Sequence, residues 1–434
     1  MRRLRVFTVG IVLASCSRLT SPAPLPAELS TISNGTPLSV SHSYKRLYSF
    51  HLAPPPDGLW PTTGLTYFRG LLYGTTYGGG GTASGPCKAG CGTVFSIGTS
   101  GTDERMVYKF AGAPDGAIPE AGLSDIDGAL YGTTFYGGVT RCTGRGCGTV
   151  FKIDASGHES VIYSFKGGAD GANPAGALTV VNGTIYGTTT SGLNGRACAG
   201  QRTVHGTVYG TVFALTRSGS SYIESVLHAF MRPRGASDGA CPIGSLVVAN
   251  GNLYGVTYEG GTHDAGTIFE LRPNGKHKIL HSFAYAEGDY PVGLALANGT
   301  LYGAASAAGT FRRGSLFSIG LDGSSFRVLH FFGGHSTDGA LPYAAPILLG
   351  EKLYGTTEGG GDQGIGTVYE LKPGAKASSY TEALLYSFLG YPVSDGAAPV
   401  APLTEVKGVL YGTTVKGGQN SQSNSVGTVF KISP

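Results

Sequence analysis

Leu130-Tyr131-Gly132-Thr133-Thr134, answered downstream by Gly148-Thr149-Val150-Phe151, decides how this chain is read. Neither phrase stands alone. Leu-Tyr-Gly or Ile-Tyr-Gly begins at Leu72, Leu130, Ile185, Leu253, Leu301, Leu353 and Leu410, about 56 residues apart on average. A Gly-Thr-Val-Phe variant follows each, starting at Gly92, Gly148, Gly210, Gly266, Gly314, Gly366 and Gly427. An aromatic triplet ending in Phe recurs at 48–50, 108–110, 163–165, 228–230, 281–283, 330–332 and 386–388, and a proline stands after each. Self-similarity at such a period marks one supersecondary unit repeated along the chain.

Each unit reads as four short strands. The proline leads into strand A, for example 122–126, and a tight turn joins it to strand B, the Leu-Tyr-Gly-Thr-Thr run. That turn is Asp127-Gly128, Asn182-Gly183, Asn250-Gly251 or Asn298-Gly299 in four units, and such pairs accept positive φ at both positions. Strand C is the Gly-Thr-Val-Phe run, and strand D carries the aromatic triplet. Four antiparallel strands per repeat of this length predict an all-β, seven-bladed β-propeller. Gly64, Gly122, Ala177, Ser245 and Ala345 stand three positions after their prolines, which suits an innermost strand A converging on an axis. The repeats open with a strand D at 44–50 and end with a strand C at 427–432. Pairing these fragments closes the ring and removes two exposed edges. A parallel β-helix is the alternative fold, and it offers no reason for complementary ends.

Composition narrows the function. Charged residues make up 13% of the 434 while hydrophobic residues hold at 41%, which excludes a disordered chain. The 73 glycines show no three-residue period, which excludes collagen. The formal charge is +4, but Arg2, Arg3 and Arg5 lie in a leader-like segment, and without them the balance is near neutral. No basic stripe remains, so no nucleic-acid partner is expected.

Residues 1–15 read as an export signal: a basic start, then an apolar run from Val6 to Ala14 that is too short to span a bilayer. Leu13-Ala14-Ser15-Cys16 resembles the lipobox of bacterial lipoproteins, and the resemblance implies lipid attachment at Cys16 as the sole membrane contact. Residues 16–43, rich in Pro, Ser and Thr, read as a disordered tether before the propeller at 44–434. The other six cysteines suit three disulfides, Cys87 with Cys91, Cys142 with Cys147, and Cys198 with Cys241. Bridges of this kind belong to an oxidising compartment, and none of the spacings is that of a zinc knuckle. A bacterial cell surface or periplasm is the expected location.

The repeat pattern, as in Leu130–Thr134 with Gly148–Phe151, resembles the GloVer-type (choice-of-anchor) tandem-repeat family of extracytoplasmic bacterial proteins. The resemblance covers residues 44–434. Blade 5 departs from it, with Ala304-Ala305 for Thr-Thr and Gly314-Ser315-Leu316-Phe317 for strand C. It implies a propeller-like surface protein and brings no defined activity.

Loop lengths separate scaffold from variable surface. From the Leu-Tyr-Gly leucine to the strand C glycine runs 20, 18, 25, 13, 13, 13 and 17 residues, so the B–C loops of blades 1–3 absorb the insertions. Trp60, Tyr77, Phe135, Tyr136 and Tyr258 read as exposed aromatics near these loops and form a candidate binding face for a glycan or protein ligand, with packing within the loops as the plainer alternative. Asp-Gly recurs at Asp57, Asp115, Asp170, Asp238, Asp338 and Asp395. It reads as turn chemistry, with a cation-binding ring as the alternative. His228, His281 and His330 take the place of a repeat tyrosine and read as packing substitutes. No nucleophile elbow, phosphate loop or calcium loop occurs, so no catalytic residue, metal or cofactor is expected. The expectation is a monomeric, non-catalytic surface binding module. The alternative is a glycan-acting hydrolase or lyase, which needs a blade-unique acid near the axis; Glu120, Glu259 and Glu358 are the candidates.

Overall fold

The computed structural model describes residues 43–434 except 53–56, 82–86, 140, 141, 143, 193–207, 232–237, 375–379, 391 and 419–425. Seven antiparallel sheets form the blades of a β-propeller. Blade 2 shows the pattern, with strand A Ser124–Ile126, B Ala129–Thr134, C Thr149–Ile153 and D Glu159–Ser164 paired in that order. In the A–B turns, Asp127 and Gly128, Asn182 and Gly183, Asn250 and Gly251, and Asn298 and Gly299 all take positive φ. That is the hairpin geometry the sequence called for.

The ring closes between the chain's two ends. Ser43–Ser49 pairs antiparallel with Thr428–Ser433 and becomes the outer strand of blade 7.

The repeat signature follows from contacts that recur from blade to blade. In strand B the Tyr-Gly glycine seats the strand C aromatic: a Cβ on Gly132 would lie 2.5 Å from the Phe151 ring, and one on Gly187 2.5 Å from Phe213. That aromatic in turn meets the Phe that ends the previous blade's triplet. Phe110 and Phe151 pack edge to face at 5.0 Å, Phe165 and Phe213 likewise, and the closing joint repeats the contact with Phe50 and Phe95 at 5.1 Å. The second threonine of strand B faces the threonine of strand C, as with Thr134 and Thr149, whose hydroxyls are 2.7 Å apart. The first threonine crosses to the next blade, where Thr356 donates to the Ala401 carbonyl at 2.9 Å and Thr413 to that of Thr63 at 3.1 Å. Blade 5 has alanine at both positions, so it lacks both contacts.

The strand C glycine and the next blade's proline form the inner joint. Gly148 has φ +97, and a Cβ there would sit 2.5 Å from Pro174; Gly427 stands in the same relation to Pro61 across the closure. The residue before each proline, Trp60, Ile118, Asn173, Cys241, Tyr290, Leu341 and Ala398, adopts positive φ. Its amide is held by the residue ahead of the strand C glycine: Ile118 N donates to Cys91 O at 2.7 Å and Asn173 N to Cys147 O at 2.8 Å. Cys91 is bridged to Cys87 and Cys147 to Cys142, each with Cα atoms 5.0 Å apart. The two short disulfides therefore brace the joints of blades 1–2 and 2–3. Cys241 is buried and disulfide-bonded, but Cys198, its expected partner, lies outside the described residues. So do Cys16, the leader and the tether.

Candidate functional site in the axial cavity

The strand A segments of all seven blades surround one cavity of about 390 Å³ on the axis. Gly64, Gly122, Ala177, Ser245 and Ala345 line it, as small inner residues should, while Leu294 and Pro402 fill the equivalent positions of blades 5 and 7. Above them comes the residue after each proline: Thr62, Glu120, Ala175, Ile243, Val292, Tyr343 and Val400. Among the described residues, Glu120 is the one acidic or basic side chain in the lining. Burial pushes its carboxyl well above the ordinary range, and no side chain among the described residues donates to it. Burial therefore favours the protonated carboxyl, the form that carries a hydrogen-bond donor.

The walls beside it are aromatic. Trp60 and Tyr77 line the cavity and meet edge to face with centroids 6.2 Å apart, and Tyr343 enters from the far side. Tyr77 is pushed up to about 12, by burial first and then by Glu120 and Tyr136. Tyr343 is likewise raised to about 12, by burial and then by Glu358. Arg145 stacks over the Tyr136 ring at 5.6 Å. Tyr258 packs on Tyr290 at 4.4 Å and beside Tyr343.

The expected binding face is thus divided. Trp60 and Tyr77 reach the cavity and Tyr258 stands next to its wall. Phe135 is fully buried and Tyr136 nearly so, both in the core between blades 1 and 2. Their places as exposed loop aromatics are corrected: the chain after strand B runs inward against the pre-proline segment, with Phe135 N donating to Ile118 O at 2.9 Å. Of the three candidate acids, Glu120 alone is in the lining. Glu259 is 8% exposed and Glu358 half-buried, and neither is in the cavity wall.

The Asp-Gly residues make no ring at the axis. Each meets an outer strand. Tyr48 donates to Asp57, Tyr108 to Asp115 at 3.1 Å and Tyr386 to Asp395 at 2.6 Å. The same carboxylates accept loop amides, such as Ala111 N on Asp115 at 2.8 Å and Leu389 N on Asp395 at 3.0 Å. His281 and His330 replace tyrosine in this role, with Nε2 3.0 Å from Glu287 and 3.3 Å from Asp338.

A third member completes each of these stations and was missed in the sequence. Four residues before each triplet's first aromatic stands Tyr44, Glu104, Glu159, Glu224, His277, Phe326 or Glu382, contributed by the next blade's outer strand. Glu159, beside Asp115, and Glu224, beside Asp170, are each pushed up to about 7, by burial first and then by that neighbouring carboxylate. Glu382 is raised by burial and by its hydrogen bond with Asp338. Burial works against the Asp338 carboxylate, but hydrogen bonds from His330, Glu382 and the Gly334 amide hold it below its ordinary range.

The sequence matches the model of the Gloeobacter/Verrucomicrobia repeat over residues 30–201, 81–300 and 292–434. The chain belongs to this family. No curated protein matches it. Among solved structures it is similar to an oligogalacturonate lyase in complex with manganese, at TM-score 0.52 and 12% identity, covering 91% of this chain and 96% of that one. It is also similar to an oligogalacturonate lyase from Vibrio parahaemolyticus, at TM-score 0.48 and 10% identity over 91% and 97%. A putative 6-phosphogluconolactonase from Bacteroides uniformis matches at TM-score 0.47 and 12% identity over 74% and 84%. The first of these likenesses attests the propeller fold. The repeat family and the two disulfides together point to an extracytoplasmic location.

Proposed function

We propose that this protein is a non-catalytic surface binding module, monomeric and held at a bacterial membrane by lipid at Cys16, which takes the end of a glycan into its axial cavity. The observation that carries this reading is the symmetry break at the axis. Seven equivalent post-proline positions converge there, and one of them is an acid facing Trp60, Tyr77 and Tyr343. A sugar ring has an apolar face that stacks on aromatic walls and hydroxyls that accept from a neutral carboxyl. A cavity of about 390 Å³ lies in the range of ordinary small-ligand sites.

The alternative, a hydrolase or lyase acting on glycans, draws on the lyases that share the fold. It is the weaker reading because glycoside hydrolysis ordinarily uses two carboxylates across the scissile bond. The raised Glu120 owes its state to burial, with no second acid among the described residues acting on it.

Trp60 is the single tryptophan, so its emission reports occupancy of the cavity. Titrating the purified chain with a glycan panel should shift that emission for one class of sugar. Glu120→Gln should bind within about threefold of the parent, because the amide keeps a neutral donor, while Glu120→Ala should lose at least about tenfold. Binding should weaken as pH rises and Glu120 gives up its proton. An unchanged Glu120→Ala would move the site off the axis, to the B–C loops of blades 1–3. Cys16→Ser should release the mature protein from the membrane fraction; retention of the unacylated variant would reject the anchor.

A further inference from the structure

The seven outer stations are built alike, and the one joining blades 3 and 4 is left open. It holds His228 on strand D of blade 3 (Ser221–Met231), Asp238 in the following loop, and His277 on strand D of blade 4 (His277–Ser282). At other stations the triplet's first aromatic bonds the loop acid directly, as Tyr386 does to Asp395 at 2.6 Å and His281 to Glu287 at 3.0 Å. Here His228 Nε2 stands 3.5 Å from Asp238 Oδ2, and His277 Nδ1 stands 3.7 Å from Oδ1. These separations exceed hydrogen-bond length. The two imidazoles stack with centroids 4.0 Å apart. The Nε2 atoms of both are buried and lack a hydrogen-bond partner among the described residues.

Buried ring nitrogens without partners are costly, and this is the one station among the described residues where two imidazoles stand against a single carboxylate. The donor set answers what would pair them here. Two imidazole nitrogens and one carboxylate oxygen lie within 4.8 Å of one another. We propose that His228, Asp238 and His277 bind a divalent transition-metal ion, with Zn²⁺ as the fitting case, as a cross-link between blades 3 and 4.

The chemistry agrees. Zinc takes nitrogen and oxygen donors at about 2.0–2.2 Å in tetrahedral sites, and water can fill a fourth position. Tetrahedral geometry at that radius puts donors roughly 3.3 Å apart, so the three groups need to close by about 1 Å or less on average, within the reach of side-chain rotation. The related cluster of His330, Asp338 and Glu382 differs: there the carboxyl groups share a hydrogen bond and His330 reaches Asp338 at 3.3 Å, so the station is closed by its own members. The ligands come from two blades, which is why no local spacing in the sequence reveals them. The cross-link would sit at the joint that follows the longest B–C insertion, where Cys241 is also disulfide-bonded.

The test uses the full, untagged chain, stripped with chelator under non-reducing conditions and dialysed against Zn²⁺. The parent should retain one Zn²⁺ per chain and unfold at a higher temperature with zinc than without. The variant H228Y/H277E rebuilds the Tyr-Asp-Glu station of its neighbours, so it should fold, lose at least tenfold in zinc affinity and show no zinc-dependent rise. H277F, which copies the station at Phe326, should behave likewise. A parent that retains no zinc, or a folded H228Y/H277E that retains as much as the parent, overturns the site.

Discussion

Gly132 and Glu382 show what a single residue contributes and how much of it can be read ahead. The glycine was visible as part of a repeated phrase, but its reason lies in the ring opposite: a Cβ would stand 2.5 Å from Phe151. Sequence shows that the position is special; packing shows why. Glu382 was not visible at all, because a glutamate on an outer strand is ordinarily a solvated residue. Its four-residue offset from Tyr386 recurs at Glu104, Glu159 and Glu224, and that spacing was the available signal. The raised carboxyls make a prediction about pH. The native chain holds protons on Glu159, Glu224 and Glu382 that the unfolded chain gives up near 4.5. Between that value and about 7 for Glu159 and Glu224, and higher for Glu382, the folded state binds more protons, so stability falls as pH rises. Below the ordinary aspartate range the sign reverses, as the depressed Asp338 loses its hydrogen-bonded charge. Thermal unfolding in chelator should give a midpoint several degrees higher at pH 5.5 than at pH 8.5. The triple change of these glutamates to glutamine should flatten that slope; an unchanged slope would place the effect elsewhere.

At the scale of the element, strands and turns were legible because their chemistry is local. Asn-Gly and Asp-Gly set the A–B hairpins, and the repeated Leu-Tyr-Gly-Thr-Thr and Gly-Thr-Val-Phe runs marked strands B and C. What loops do was less legible, because it depends on neighbours distant in sequence. The loop aromatics Phe135 and Tyr136 looked like surface, yet the pre-proline turn of blade 2 draws the segment into the core. The bridges at Cys91 and Cys147 were legible only as local pairs. In the fold each fixes the carbonyl that holds the next blade's turn at Ile118 or Asn173. Of the candidate site, sequence isolated Glu120, Trp60 and Tyr77; it did not bring in Tyr343, which joins them only when blade 6 meets blades 1 and 2 around the axis.

At the scale of the molecule, a ring has no end to fray only if its last joint matches the others, and here it does. Blade 7 meets blade 1 through Gly427 against Pro61, Phe50 against Phe95, and Thr413 on Thr63. The N-terminal strand supplies the outer edge of blade 7, and Tyr44 stacks on Tyr386 at 3.8 Å to complete the seventh station. All these contacts from the N-terminal side begin at residue 43, so a deletion of residues 17–40 should leave the unfolding temperature where it was. Extending the deletion to residue 50 removes Tyr44, Tyr48 and Phe50 together and bares strand C of blade 7 as an open edge. Loss of one buried phenylalanine alone costs about 3–5 kcal/mol, and each kcal/mol lowers the midpoint of a domain this large by a few degrees. The longer deletion should therefore unfold at least about 10 °C lower, or aggregate through the exposed edge. Equal midpoints for both deletions and the parent, measured by circular dichroism, would mean that the ring does not depend on its N-terminal strand.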